Sequence, residues 1–254
     1  MSEVRDYNPE NQSVFGRLLE ELSWVGKTIN SYREGGRGFE NVLTAEVFQA
    51  LDFLPRTTFL GKIVAASEGA NNTREILINE IEEAEFSLLP GNHYLIPSGE
   101  RHQTKLPVQP DGLIETQNVY VVLEAKRIRQ SSFQPEQLAR EYVLSLREAG
   151  NRSPLLLLVL GKEPPISVQK HGKISIKESI KLFIKSVLNR AENHSITEEL
   201  ALSKIDDVVC WITWEKIKDV VQAEMENIET DNQSIKNSIT RVARSACNSI
   251  EWHK

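Results

Sequence analysis

The sequence predicts an α/β fold with a central mixed β-sheet flanked by helices. Residues 119–160 show the order strand, helix, strand: a Val- and Tyr-rich run, an amphipathic segment at 135–149, and the run Leu-Leu-Leu-Leu-Val-Leu at 155–160. A strand that is apolar at every position is typical of a parallel sheet covered on both faces. A β-hairpin predicted at 112–126 leads into this unit, and another apolar strand is predicted at 208–212.

The other elements are predicted from hydrophobic periodicity and from the turn residues that interrupt it. Segment 74–96 stays open, because Ile76 and Ile78 favour a strand whereas the glutamates that follow favour a helix; only a short strand at 94–96 is predicted there. Helices are predicted at 10–32, 39–52, 175–191, through 217–225 and at 234–250. A further short helix is predicted after Ser195, with Glu198 as the capping partner of Ser195. The remaining predicted strand is 57–66.

Three glycines, at positions 35, 36 and 38, follow the first predicted helix. Because glycine-rich sequence breaks a helical pattern, the chain is predicted to consist of an N-terminal helical arm over 1–34 and an α/β domain over 35–254.

Composition limits the classes of protein to which the chain can belong. The 254 residues are 40% hydrophobic, which is ordinary for a globular protein with a buried core. No apolar run approaches the ~18 residues of a membrane span, and the polar N-terminus lacks a signal-peptide pattern. Two cysteines suffice for neither a disulfide framework nor a zinc site. We therefore expect a soluble cytoplasmic protein without a membrane partner.

The charge is negative overall but unevenly distributed. A net charge of −6 argues mildly against nucleic-acid binding. Residues 162–190, however, contain seven Lys or Arg and two acidic residues, whereas residues 192–231 contain eleven acidic residues and three bases. Such polarisation is typical of a protein with one basic face, although any single block is also consistent with an ordinary solvated surface.

The hairpin at 112–126 contains the residues with the clearest chemistry. Glu124 and Lys126 lie two apart on a predicted strand, so both side chains leave the same face, while Ala125 points into the core. Asp111 lies where the chain enters the partner strand. Two carboxylates and the backbone carbonyl of Ala125 are hard oxygen ligands of the kind that Mg²⁺ binds. A lysine beside such a metal can orient a bound water and stabilise charge on a phosphate.

The order and spacing of these residues make the pattern more specific than its parts. The chain has one Pro-Asp and one Glu-x-Lys, and Asp111 and Glu124 are thirteen residues apart with a turn between them. The pattern resembles the PD-(D/E)xK nuclease superfamily over about 39–160, extending to 214 if 208–214 is a later strand. A Pro-Asp turn and a Glu–Lys pair also occur as plain surface residues, which is the alternative.

The resemblance implies a restriction-endonuclease-like core and a Mg²⁺-dependent nuclease, with Mn²⁺ as a substitute. It implies that Asp111 and Glu124 hold the metal and that Lys126 positions and activates the attacking water. The family often adds a helical glutamate, for which Glu40 is the first candidate and Glu46 the second. For Glu40 the alternative is a plain helix-start charge that interacts favourably with the helix dipole. Some branches add a Gln four residues before a Tyr; here Gln137 precedes Tyr142 by five, a departure from the pattern, so Tyr142 is expected to pack in the core. Gln137 is expected to contact a metal-bound water or a phosphate.

The expected partner is DNA, more often double-stranded, and double-strand cutting would favour a homodimer. Lys173, Lys177, Lys181 and Lys185 recur every four residues, which fits a phosphate-binding stripe or a solvated helix face. The residues predicted to contact nucleic acid are Arg127, Arg129, Lys105, Lys177 and Lys181. The alternative function is a catalytically inactive nuclease-fold module that binds nucleic acid or a protein partner.

Overall fold

The computed structural model describes residues 39–96, 105–129, 132–191 and 196–254, with side chains from residue 41 onward. The predicted arm over 1–34 and its helix at 10–32 lie outside these residues. In the described part of the chain, no helix combines the length and apolar character that crossing a bilayer requires.

Nine helices and nine strands follow one another in the described ranges. The helices are α1 (Phe39–Phe53), α2 (Leu60–Ala66), α3 (Asn71–Glu80), α4 (Gln137–Glu148), α5 (Ile176–Arg190), α6 (Glu198–Ser203), α7 (Ile205–Val208), α8 (Trp214–Glu226) and α9 (Gln233–Trp252), with a 3₁₀ turn at Ile81–Glu83. The strands are β1 (Glu85–Leu88), β2 (His93–Leu95), β3 (Leu106–Val108), β4 (Gly112–Glu115), β5 (Val119–Ala125), β6 (Ser153–Leu160), β7 (Ile166–Val168), β8 (Gly172–Ile174) and β9 (Val209–Thr213).

The central sheet is mixed, as predicted. Its five strands lie in the order β1-β4-β5-β6-β9, and two small two-stranded sheets, β2-β3 and β7-β8, lie apart from it. β1, β4 and β5 pair antiparallel, whereas β5, β6 and β9 pair parallel. The predicted hairpin is therefore the point at which the sheet changes from antiparallel to parallel, and helix α4 provides the crossover from β5 to β6.

Helices cover both faces of this sheet. Val121, Leu123 and Ala125 of β5 join one apolar cluster with residues of α1, α2, α8 and α9. Tyr120 and Val122 join a second cluster with residues of α4 and α5. Because side chains alternate along a strand, Glu124 lies on the second face, beneath α4. The α/β class with helices on both faces of a mixed sheet is thus confirmed.

The prediction of a strand at 57–66 is wrong. Pro55 begins a turn whose carbonyl accepts hydrogen bonds from the amides of Thr58 and Phe59, and helix α2 follows. Leu60, Ile63 and Val64 are buried at helical spacing. The apolar residues in this short run satisfy a helical stripe as well as a strand, and packing against the core decides between them.

Two other segments are now defined. Segment 74–96, left open by the sequence, contains the end of α3, the 3₁₀ turn and strands β1 and β2. The short helix predicted after Ser195 exists as α6, but its N-cap is Thr197, whose hydroxyl accepts a hydrogen bond from the amide of Leu200. Ser195 itself lies outside the described residues.

Candidate functional site

Backbone pairing fixes Asp111 at the end of β5. Its amide donates a hydrogen bond to the carbonyl of Leu123 at 3.0 Å, and its carbonyl accepts one from the amide of Leu89 at 2.9 Å. Its Oδ2 accepts a hydrogen bond from the amide of Ala125 at 2.7 Å. The Asp111 carboxylate is therefore held against the backbone between Glu124 and Lys126, as the hairpin geometry predicted.

Glu124 and Lys126 form a buried ion pair. The Nζ of Lys126 lies 2.6 Å from the Oε1 of Glu124, and only 9% and 3% of the two side chains are exposed. Gln137, at the first position of α4, donates from Nε2 to the same oxygen at 2.5 Å. The ammonium of Lys126 also lies 5.1 Å from the centre of the Phe133 ring. Three predicted site residues are thus joined in one hydrogen-bonded group.

The backbone of Lys126 is anchored on both sides. Its amide donates to the carbonyl of Val159 at 2.8 Å, which continues the parallel pairing with β6. Its carbonyl accepts a hydrogen bond of 2.7 Å from the indole nitrogen of the buried Trp214. Trp214 belongs to the apolar cluster that includes residues of α1 and α9. This contact from the first residue of α8 fixes the chain where it leaves β5.

These groups line an open cleft of about 800 Å³. Asp111, Glu124, Lys126 and Gln137 all face it. Segments around β3 form one side, the start of α4 forms another, and Phe183 of α5 contributes to the rim.

Glu141 is a site residue that the sequence did not reveal. It lies four residues after Gln137 on α4, so the two side chains share a helix face. Its carboxyl group is fully buried and hydrogen-bonds with Glu124 and Gln137. Burial raises the pKa of this carboxyl well above its usual range; the charge of Glu124 raises it further, and Lys126 opposes that rise. The spacing from Gln137 was the one available signal.

The two helical glutamates predicted as additional site residues, Glu40 and Glu46, differ in where the structure places them. Glu40 belongs to α1, but its side chain lies outside the description; its neighbour Asn41 lines the cleft. Glu46 is exposed and lies 3.6 Å from the Nε2 of His253, away from Glu124. Tyr142 packs in the core, as expected, and its hydroxyl donates to the carbonyl of Ala201 at 2.6 Å.

Three of the basic residues predicted to contact nucleic acid lie near the cleft but do not line it. Arg127 is half-buried and Arg129 is exposed, both directly beyond β5. Lys105 is exposed, and its ammonium lies 5.6 Å from the ring centre of Tyr94. Their contact with a substrate stays a prediction.

The lysine stripe is shorter than predicted, because Lys173 lies on β8 and only Lys177, Lys181 and Lys185 lie on α5. These three are partly neutralised. The ammonium of Lys177 pairs with Asp206, and Lys185 lies 3.8 Å from a carboxylate oxygen of Glu198. Lys181 is exposed on the same helix. Contact of Lys177 and Lys181 with a phosphate stays a prediction.

The carboxylates do not form a preformed multi-ligand cage. Among the described residues, no group of three or more His, Cys, Asp or Glu side chains is arranged to hold a metal ion. The donor set that the sequence predicted is smaller: Asp111, Glu124 and the carbonyl of Ala125. Mg²⁺ usually keeps several waters and takes one or two protein carboxylates, so metal binding by this smaller set stays a prediction.

Comparison with protein-family models, with curated proteins and with solved structures finds no match to this chain.

Proposed function

We propose that this protein is a Mg²⁺-dependent nuclease that hydrolyses phosphodiester bonds in DNA, with Mn²⁺ as a substitute ion. One observation carries the proposal: Asp111, Glu124 and Lys126 face the same open cleft, and Lys126 is hydrogen-bonded to Glu124. Two acids and a lysine at the switch of a mixed sheet suit metal-assisted phosphoryl chemistry. A role in restriction, defence or repair fits such an activity.

The donors fit a hard divalent cation. Asp111 and Glu124 would supply carboxylate oxygens, and the backbone carbonyl of Ala125 would supply a third oxygen. When bound there, the cation supplies Lewis acidity and makes a coordinated water more acidic.

The protein's own groups orient the reactants. The ammonium of Lys126 donates hydrogen bonds and cannot accept a proton. Lys126 therefore orients a water oxygen or a phosphate oxygen. Charge that builds on the phosphate is stabilised by this ammonium in a partly water-excluded site. Gln137 orients Glu124 through its amide, and Trp214 holds the backbone of Lys126 in place.

The rim of the cleft suits a polyanionic substrate. The β7-β8 hairpin is joined to the site because the amide of Phe133 donates to the carbonyl of Ser167 and its carbonyl accepts from the amide of Gln169. Gln169 lines the cleft, and the same hairpin carries the exposed Lys170 and Lys173. Phosphate groups along a DNA strand attract such cations. Cleavage of both strands would call for a homodimer with two clefts.

Cleavage of defined substrates tests the proposal. Purified protein is incubated with linear, circular and single-stranded DNA and with RNA, with Mg²⁺, Mn²⁺ or a chelator. We expect metal-dependent cleavage of DNA by the wild type, and a loss of at least about 100-fold in rate for Asp111→Asn and Lys126→Met. Glu136→Gln, at the cleft rim, serves as the matched control and should retain activity.

Two results would contradict the proposal. Cleavage that persists in Asp111→Asn would assign the activity to another site or to a contaminant. No cleavage of any substrate, together with metal-independent binding of DNA or of a protein, would favour the non-catalytic module. Circular dichroism and thermal unfolding of each variant separate loss of chemistry from loss of fold.

A further inference from the structure

Glu141 carries a buried oxygen that the fold leaves without a partner. Its Oε2 is inaccessible to solvent and has no hydrogen-bond partner among the described residues. Buried carboxyl oxygens without a donor are rare, because the desolvation of such a group costs about 1–3 kcal/mol or more. Glu141 nonetheless faces the cleft that contains Asp111 and Glu124. A buried carboxyl oxygen without a partner at the wall of a cleft indicates a missing ligand, and a divalent cation is a ligand that carboxylate oxygens bind.

The charges around Glu141 point the same way. Asp111, Glu124 and Glu141 can carry three negative charges, and Lys126 is the cation in contact with Glu124. Three carboxyl groups and one ammonium therefore line the same cleft, and oxygen-rich surroundings of this kind suit a divalent cation. Arg140 also lines the cleft, but it pairs with Glu136 at 2.6 Å.

We propose that Glu141 is a further carboxylate of the metal site and binds the divalent cation together with Glu124. This inference rests on the proposed function, since it assigns an additional ligand to the same cation. The three carboxylates are not a preformed ligand set. Two carboxyl groups share a hydrogen bond only through a proton, so binding of the cation would release that proton to solvent and replace the hydrogen bond between Glu141 and Glu124 with bonds from both groups to the cation.

Mn²⁺ affinity tests the assignment without reference to cleavage. Calorimetric titration with Mn²⁺ alone compares the wild type with Glu141→Gln, Asp111→Asn and Glu136→Gln. Glu141→Gln keeps the shape and hydrogen-bonding capacity but removes the charge, and we expect at least about 10-fold weaker binding. Glu136→Gln removes a carboxylate from the same cleft that is already neutralised by Arg140, so its affinity should stay within about 2-fold of the wild type.

Each outcome decides between the two proposals. Wild-type affinity in Glu141→Gln with weak binding in Asp111→Asn would overturn the role of Glu141 and leave the proposed metal centre intact. No binding of Mn²⁺ by the wild type would overturn the metal centre itself. If Glu141→Gln does not fold, ¹³C NMR of the wild type decides: Mg²⁺ should shift the carboxyl resonances of Glu141 and Asp111, and a shift of Asp111 alone would refute the inference.

Discussion

The buried ion pair between Lys126 and Glu124 makes a quantitative prediction about stability. With the charges 2.6 Å apart, their attraction at an effective dielectric constant of ~20 is about 6 kcal/mol. Desolvation costs several kcal/mol per ion and offsets most of this attraction. The intact pair therefore adds little to the free energy of unfolding, but removal of one partner leaves the other buried and uncompensated.

Lys126→Met is the sharpest perturbation of this pair. Methionine keeps an apolar side chain of similar length against Phe133 and removes the ammonium, so we expect a loss of about 3–5 kcal/mol in the free energy of unfolding at pH 7. Glu124→Gln should cost less, because the Lys126 ammonium retains its interaction with Glu141. The double variant should lose less than the sum of both, with a coupling energy of about 2–3 kcal/mol.

Urea unfolding of the four proteins, followed by circular dichroism at pH 7, measures this coupling. The reasoning is refuted if Lys126→Met is as stable as the wild type. It is also refuted if the two costs add within about 0.5 kcal/mol, because independent sites behave in that way. Either result would mean that the pair is not formed in solution.

Three further predictions concern the supports of the site and the C-terminal helix. Trp214→Phe removes the indole hydrogen bond at the end of β5 and should lower the free energy of unfolding by about 1–3 kcal/mol in urea melts; an unchanged midpoint would contradict this. A Cβ at Gly161 would overlap two backbone carbonyl oxygens beyond β5, so Gly161→Ala should lower the free energy of unfolding by about 1–3 kcal/mol. Gly61→Ala is the control, because the atoms nearest to a Cβ at Gly61 lie 3.4 Å away. Its free energy of unfolding, measured by the same assay, should stay within about 1 kcal/mol of the wild-type value. Hydrogen bonding from Lys218 lowers the pKa of Glu251 to about 2. The resulting stabilisation is present above the unfolded-state pKa of ~4.3 and is lost as the pH falls toward 2. A ¹³C NMR titration should show a higher Glu251 pKa in Lys218→Met than in the wild type, and an unchanged pKa would count against the ion pair.

The sequence was sufficient to predict the hairpin and its side-chain directions. The two-residue period of a strand places Glu124 and Lys126 on one face and Ala125 on the other, and the structure has this arrangement. Asp111 follows from the antiparallel pairing that the turn imposes. These contacts are local or joined by one short turn, so spacing alone defines them.

Other features depend on contacts that sequence spacing does not specify. Glu141 lies beside the apolar positions of α4. Hydrophobic periodicity does not predict that a charged residue at such a position is buried beneath a neighbouring strand. Lys177 belongs to a regular stripe, yet its partner Asp206 is 29 residues away along the chain. The strand expected at 57–66 became α2 because packing of Leu60 and Ile63 outweighs local propensity.

Anomalous diffraction from crystals soaked in Mn²⁺ tests the central claim most directly, because it locates the cation relative to named side chains. The account predicts one strong anomalous peak in the cleft, with carboxylate oxygens of Asp111 and Glu124 within about 2.5 Å of it and the ammonium of Lys126 nearby. A peak located elsewhere, or an empty cleft in crystals that bind Mn²⁺ at other positions, would contradict it.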